Sequence, residues 1–336
     1  MALFNNNQIV DQTQSIQRIP NQPGLMGALG LYRDSMVGND VVVFDVRDNS
    51  FHILEDKRRN VAQKNSTEER PYGRHLMEVP HYPIERTIGR ERLAGVRQFG
   101  SDTEMTIAQA VAEELEQQSQ NHDVTEEYLK AAMTIQGRYA TTNFGTVDMA
   151  DEFGVQRETE ALATGDMLTG IRSAQRKAKN GLRNGGMTSG YIMLAGPELF
   201  EQILKEPDLL AAYQYSNSAS NPLRNELGTV GQHYQMLSWG NLNIIMYEDT
   251  FSPNDGEPVE LLASDAGVLF PRTTLGRCFF GPESTLTGLG AGGARRFARS
   301  FRDEHDRYVQ VESEMNILPI AEQYGAVVDV TLGASA

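Results

Sequence analysis

Cysteine is almost absent from this chain. The single thiol, Cys278, cannot close an internal disulfide, which excludes a stapled fold and fits a reducing compartment. Its expected role is that of a small core hydrophobe. No run approaches the ~18 consecutive apolar residues that a membrane-spanning helix needs, so no membrane partner is expected. The opening MALFNNNQIVDQTQ lacks the basic and apolar regions of a secretory leader. Basic residues are outnumbered, 30 Lys and Arg against 45 Asp and Glu, for a net charge of −15. That excludes a surface built throughout to grip nucleic acid. An acidic wall can still enclose DNA without sticking to it.

The signatures of catalysis are missing too. The six histidines never pair at i, i+4 spacing, and there is no H-E-x-x-H, G-x-S-x-G or phosphate-binding loop. Gly288, Gly290 and Gly293 satisfy G-x-G-x-x-G, with Glu312 downstream. A dinucleotide site needs that run inside a βαβ unit, and too little chain follows Gly293 to build one. A mobile loop is the expected reading. Arg295, Arg296 and Arg299 read as a solvated face or an inter-subunit ion pair before a phosphate site. No catalytic residue, metal ligand or cofactor is expected.

What is present is an ordered series of structural parts. Residues 1–38 are rich in Asn, Gln, Pro and Gly and read as an arm. VVVFDVRDNSFHIL, from Val41 to Leu54, suits a strand. Residues 55–74 are almost wholly polar, and Pro80 and Pro83 in the returning segment fit an edge strand. Together they predict a long hairpin with a charged tip. A long helix follows over 103–138, bent or in two pieces. Ser101 or Thr103 caps it, and Thr125 caps its second part. Its apolar stripe is Met105, Ile107, Ala108, Val111, Ala112 and Leu115, then Leu129, Ala132, Met133 and Ile135, stopping at Gly137. Residues 139–160 read as two short strands, Asp166–Gly181 as a basic amphipathic helix, and YIMLAG as a buried strand. Pro197 opens the next helix. The class is α+β, without an internal repeat.

This order of parts resembles the tailed-phage capsid fold of the Hong Kong 97 type. Within it the chain resembles the lambda-like capsid protein E family. EEYLKAAMTIQGRYATTNFGTVDM (Glu126–Met149) is similar to the family's spine helix and following strand, and YIMLAGPELFEQILKEPDLLAAYQ (Tyr191–Gln214) to its axial strand and helix. NIIMYEDTF, GVLFPR and FRDEHDRYVQVESEMNILPI follow in the family's order. The resemblance implies an N-terminal arm at 1–38 and an extension loop at 39–97. It implies a peripheral domain at 98–165 and 297–316, and an axial domain at 166–296 and 317–336.

It also implies a major capsid protein that self-assembles as hexamers and pentamers into an icosahedral head shell around double-stranded DNA. The DNA would be enclosed without sequence-specific binding. The expected partners are a separate scaffolding protein and a portal protein, with a decoration protein left open. The expected place is the virion, after assembly in the host bacterial cytoplasm. Two other readings remain at this point: the shell of a bacterial nanocompartment, and a nucleotide-dependent enzyme.

Charge supplies one further expectation. Residues 55–97 hold ten Lys and Arg against seven acids, a net of +3, while 102–138 hold eight acids against Lys130 and Arg138, a net of −6. The extension of one subunit is therefore expected to lie across the spine of the next, with Arg58, Arg59 and Arg70 facing Glu113, Glu114 and Glu116.

Overall fold

The computed structural model describes residues 9–19, 24–47, 72–93, 106–143, 145–182, 187–207, 226–229, 232–253, 256–288, 290, 292–305 and 307–333. Two sheets organise them. The six-stranded sheet runs β1 (Ile9–Asp11), β17 (Phe297–Arg302), β18 (Tyr308–Ile320), β16 (Gly276–Phe280), β2 (Tyr32–Met36), with β5 (His81–Gly89) also paired to β18. The seven-stranded sheet runs β10 (Glu226–Thr229), β11 (Gln232–Trp239), β12 (Leu242–Met246), β9 (Tyr191–Ala195), β15 (Ala266–Pro271), β19 (Val328–Leu332), β8 (Glu158–Leu162). Three hairpins stand apart: β3 (Val41–Arg47) with β4 (Tyr72–Glu78), β6 (Arg138–Thr141) with β7 (Gly145–Asp148), and β13 (Thr250–Phe251) with β14 (Val259–Glu260). The helices are α1 (Thr13–Arg18), α2 (Leu25–Leu29), α3 (Arg90–Leu93), α4 (Ile107–Ile135), α5 (Met149–Phe153), α6 (Met167–Gly181) and α7 (Pro197–Leu204).

Alternation explains the layering. On β9 every residue is buried, because both faces are covered. Tyr191, Met193 and Ala195 pack with Ile171, Ala174 and Ala178 of α6 and with Leu199 and Phe200 of α7. Ile192 and Leu194 point the other way, into a core that joins Leu129 and Met133 of α4 to Phe280 and Leu318 of the six-stranded sheet. One continuous core therefore links the two sheets. The sheets also cut across the expected domain boundaries. Strand β8, before residue 166, lies in the seven-stranded sheet, and β16, within 166–296, lies in the six-stranded one. Hydrogen bonding between distant strands sets that division, and local pattern does not record it.

Helix α4 is a single helix of 29 residues, about 43 Å long at ~1.5 Å per residue. Thr106 caps it, accepting from the Gln109 amide while the Gln109 side chain accepts from the Thr106 amide. The expected caps Ser101 and Thr103 lie outside the described residues. No break occurs at 121–123, because His122 and Asp123 find buried partners. Thr125 does not cap a second piece: its hydroxyl donates to the Asn121 carbonyl one turn back, the usual arrangement inside a helix. The expected stripe also fails at its start. Ile107, Ala108 and Ala112 are exposed and line an open groove of about 470 Å³ with Val10, Ile19 and Phe301.

Gly137 ends the helix at φ +71°, its amide donating to the Ala132 carbonyl at 3.0 Å. A Cβ there would sit 2.3 Å from the Tyr324 ring. Gly137→Ala should therefore cost at least ~1–3 kcal/mol, combining backbone strain with overpacking. Urea denaturation should show the midpoint falling; an unchanged midpoint would contradict the packing described. Arg157 completes this end, donating to the Ile135 carbonyl at 2.6 Å and the Thr134 carbonyl at 2.8 Å while stacking 4.6 Å over Tyr324. Beyond it the expected two-stranded hairpin forms from β6 and β7 but ends at Asp148. Residues 149–153 form α5, capped by Asp148, and β8 leaves to pair in parallel with β19.

Candidate functional site

Two features of this fold stand out: a charged stripe buried along α4, and an apolar face exposed on the β3–β4 hairpin.

The stripe follows helical spacing. Glu114, Gln118, His122, Glu126, Lys130 and Thr134 recur every fourth residue and are all buried, facing β18 and the loop before β17. Burying charge is costly unless it is paired, and the pairs are supplied from distant parts of the chain. Glu114 meets Arg92 at 2.9 Å and Arg86 at 3.5 Å. Gln118 donates to the Val311 carbonyl, and His122 Nε2 lies 3.0 Å from Ser313 Oγ. Arg296 is 3% exposed and bridges Asp123 and Ser119. Arg295 joins Glu126 to Asp34 on β2, and Lys130 holds Glu126 from the other side at 2.5 Å. Burial pushes the Glu126 carboxyl up, but Lys130 and Arg295 outweigh it and hold the group below its ordinary range. Burial, reinforced by Arg296, pulls His122 down to about 3.

The basic cluster at 295–299 is therefore not a solvated face: its arginines are paired within their own chain. Arg295 and Arg296 bind the spine, and Arg299 reaches Glu283 and Thr285 at 2.6 Å each. All three tie β17 and the segment before it to their own chain.

Glu127 does a different job. Its two oxygens accept from the Met26 amide at 2.5 Å and the Gly27 amide at 3.1 Å, so the spine holds the first turn of α2. Gly24 passes so close that a Cβ would lie 2.4 Å from this carboxyl. Burial raises the Glu127 pKa to about 7, against the lowering effect of the two amides.

On the hairpin, Val42, Phe44 and Met77 face the body, with Phe44 edge-on to Phe279 at 5.2 Å. His75 reaches Glu152 of α5 at 3.2 Å. The opposite face carries Val41, Val43 and Leu76, exposed by 40, 51 and 65%. Val43 and Leu76 are register partners, so the open patch is continuous. Exposed, contiguous apolar surface on a ribbon of this kind marks a contact with another surface. The run of three valines signalled it: a strand with one solvated face alternates, and this one does not.

Of the residues expected to carry the inter-subunit contact, Arg58, Arg59 and Arg70 lie outside the described residues. Glu116 is exposed and Glu113 half-buried. Glu114 is buried against arginines of its own chain. The glycine run joins β16 to β17, two strands of the six-stranded sheet, with no βαβ unit around it. A Cβ on Gly293 would lie 2.2 Å from the Phe280 carbonyl oxygen, and one on Gly288 2.5 Å from that of Glu283. Close packing explains these two glycines, and the expectation of a mobile loop fails at both positions. Cys278 is wholly buried, and burial pushes its thiol up to about 12, as a core role requires.

The profile of the family described as phage major capsid protein E matches residues 8–332. The chain belongs to that family. Among its relatives, the major capsid protein of Pseudomonas phage KPP10 is 25% identical over 95% of each chain. That of Salmonella phage Felix O1 is 21% identical over 97% of this chain and 96% of its own. Among solved structures, the capsid of cyanophage P-SCSP1u matches with a TM-score of 0.51 at 10% identity, over 91% of this chain and 87% of its own. The mature capsid of bacteriophage PhiM1 matches with 0.50 at 11% identity over the same shares. The fold is thus the α+β phage capsid fold. As a member of the capsid E family this is a shell-forming structural protein whose place is the virion capsid.

Proposed function

We propose that the protein assembles as hexamers and pentamers into the icosahedral head shell that encloses the phage's double-stranded DNA. The seven-stranded sheet is the axial domain around the symmetry axes and the six-stranded sheet with α4 the peripheral domain. The β3–β4 hairpin is the extension reaching a neighbour. The observation that carries this is the hairpin's open Val41–Val43–Leu76 face, which no other described residue covers. A separate scaffolding protein and a portal protein direct assembly in the host cytoplasm. The DNA is held by enclosure, consistent with a wall of charge −15. Purified particles should protect double-stranded DNA from nuclease. Shells filled with enzyme and free of DNA would instead favour a nanocompartment.

Charge assists the extension. With Glu114 occupied, Arg58, Arg59 and Arg70 of one subunit face Glu113 and Glu116 of the next. Each exposed pair contributes only ~0.2–1 kcal/mol, repeated at every subunit. In ~1 M salt the Debye length falls to ~3 Å, so assembly should slow. Reversing any one of the three arginines to Glu should slow it more than Lys205→Glu, whose side chain just past the end of α7 is 65% exposed. Equal effects at the two places, measured by light scattering, would remove the electrostatic part of the contact.

A further inference from the structure

Helix α6 is seated on the seven-stranded sheet by Ile171, Ala174 and Ala178. Its outer side carries Arg172, Arg176 and Lys179, all exposed, at i, i+4 and i+7. With Tyr191 and Asn241 they line a groove of about 480 Å³, and Arg172 lies 5.5 Å over the Trp239 ring. Lys177, on another side, is paired with Glu160 at 2.7 Å. No carboxylate pairs with Arg172, Arg176 or Lys179 among the described residues. Three cations thus share one helix face with no carboxylate partner among the described residues, in a chain of net charge −15.

The matching surface is on the same domain. Residues 248–265 hold six acids and no Lys or Arg. Glu248, Glu257, Glu260 and Asp265 are exposed there and, among the described residues, have no cation partner. The segment is anchored by Leu261 and Leu262, which pack with Ile192 and Leu194. Those two side chains leave β9 on the face opposite to Tyr191, Met193 and Ala195, which meet α6. The basic surface therefore lies on one face of the sheet and the core of the acidic segment on the other, with only its end at Ser264 reaching the first turn of α7. Complementary patches on opposite faces join copies head to tail, and such a contact closes into a ring when the rotation permits.

We propose that the basic face of α6 docks on the acidic 248–265 segment of the next copy, and that this pairing sets the direction in which subunits follow one another around a ring. The proposal rests on the shell reading above. A nucleic-acid backbone also suits three cations, but a second copy brings an acidic segment for each basic face, since every copy carries both halves.

Charge swapping tests it. In cells that assemble wild-type particles, Arg172→Glu with Arg176→Glu, or Glu257→Lys with Glu260→Lys, should each lower particle yield roughly tenfold, since like charges then face each other at every contact. The four changes combined should restore yield to within about threefold of wild type. Circular dichroism checks that each variant is folded. In a second arm, purified particles of Arg176→Cys with Glu260→Cys, treated with diamide as the two-electron oxidant, should form disulfides between chains, as a ladder ending at the ring size, with Cys278 buried and out of reach. Loss of yield without rescue, together with no ladder, overturns the contact. So does a basic-face variant that assembles normally but loses nuclease-protected DNA, which would assign the face to nucleic acid. Absence of particles from the wild type would instead remove the shell reading itself.

Discussion

Arg296→Met is expected to lower the unfolding free energy by about 3–5 kcal/mol, a large part of a domain's whole stability. The guanidinium is 3% exposed and lies between Asp123 and Ser119 of α4. Removing it takes from the buried Asp123 carboxylate the cation in contact with it, and the poorer compensation of that buried charge, more than the lost attraction, sets the cost. The combined variant Arg296→Met with Asp123→Asn should therefore recover part of the loss. Arg277→Met, at a pair with Glu322 that is 45 and 39% exposed, should cost no more than ~1 kcal/mol. Urea denaturation of the unassembled subunit reads all three. Equal losses at Arg296 and Arg277 would contradict the burial argument.

A second large effect concerns pH, where two buried groups of α4 oppose each other. Glu127 titrates near 7 in the fold, raised chiefly by burial from an ordinary value of 4.5. The folded state then keeps a proton that the unfolded chain releases. This contribution is complete below about pH 4.5 and lost as pH rises through about 7, on the order of 3 kcal/mol in all. His122 titrates near 3, lowered from 6.5 chiefly by burial. The folded state refuses a proton that the unfolded chain takes up, so this contribution is complete above about pH 6.5. It is lost as pH falls towards 3, on the order of 4–5 kcal/mol. Between about 4.5 and 6.5 the two slopes, each up to ~1.4 kcal/mol per pH unit, nearly cancel. Glu127→Gln should expose a stability that rises with pH across that window, and His122→Gln one that falls. Urea midpoints at three pH values decide it; variants with the wild-type slope would show that these groups do not titrate as described.

Much of this architecture is legible from local pattern. The hairpin at 41–78, the helix from Met167 to Gly181, Pro197 at the first turn of α7 and the stop at Gly137 all follow from propensity, spacing and capping. The failures share a physical origin. The acids of α4 read as a surface open to a neighbouring subunit, because nothing near them in sequence says that Arg295 and Arg296, some 170 residues away, will neutralise part of them. The same long-range pairing keeps α4 unbroken at Asn121–Asp123. Ile107, Ala108 and Ala112 have helical spacing but end on an open groove, since spacing gives a helix its apolar side and not the surface that covers it. The assembly contact is legible only in part. The charge imbalance between extension and spine is plain in composition, yet which acids are free for a neighbour depends on Arg86 and Arg92 having already taken Glu114.

The most direct test of the central claim is electron microscopy of the protein produced together with its scaffolding protein. Closed, curved shells of uniform diameter, with the β3–β4 hairpin of each subunit lying against its neighbour, are the expected result. A compact monomer or small ring at high concentration, with Val41, Val43 and Leu76 still open to solvent, would contradict it.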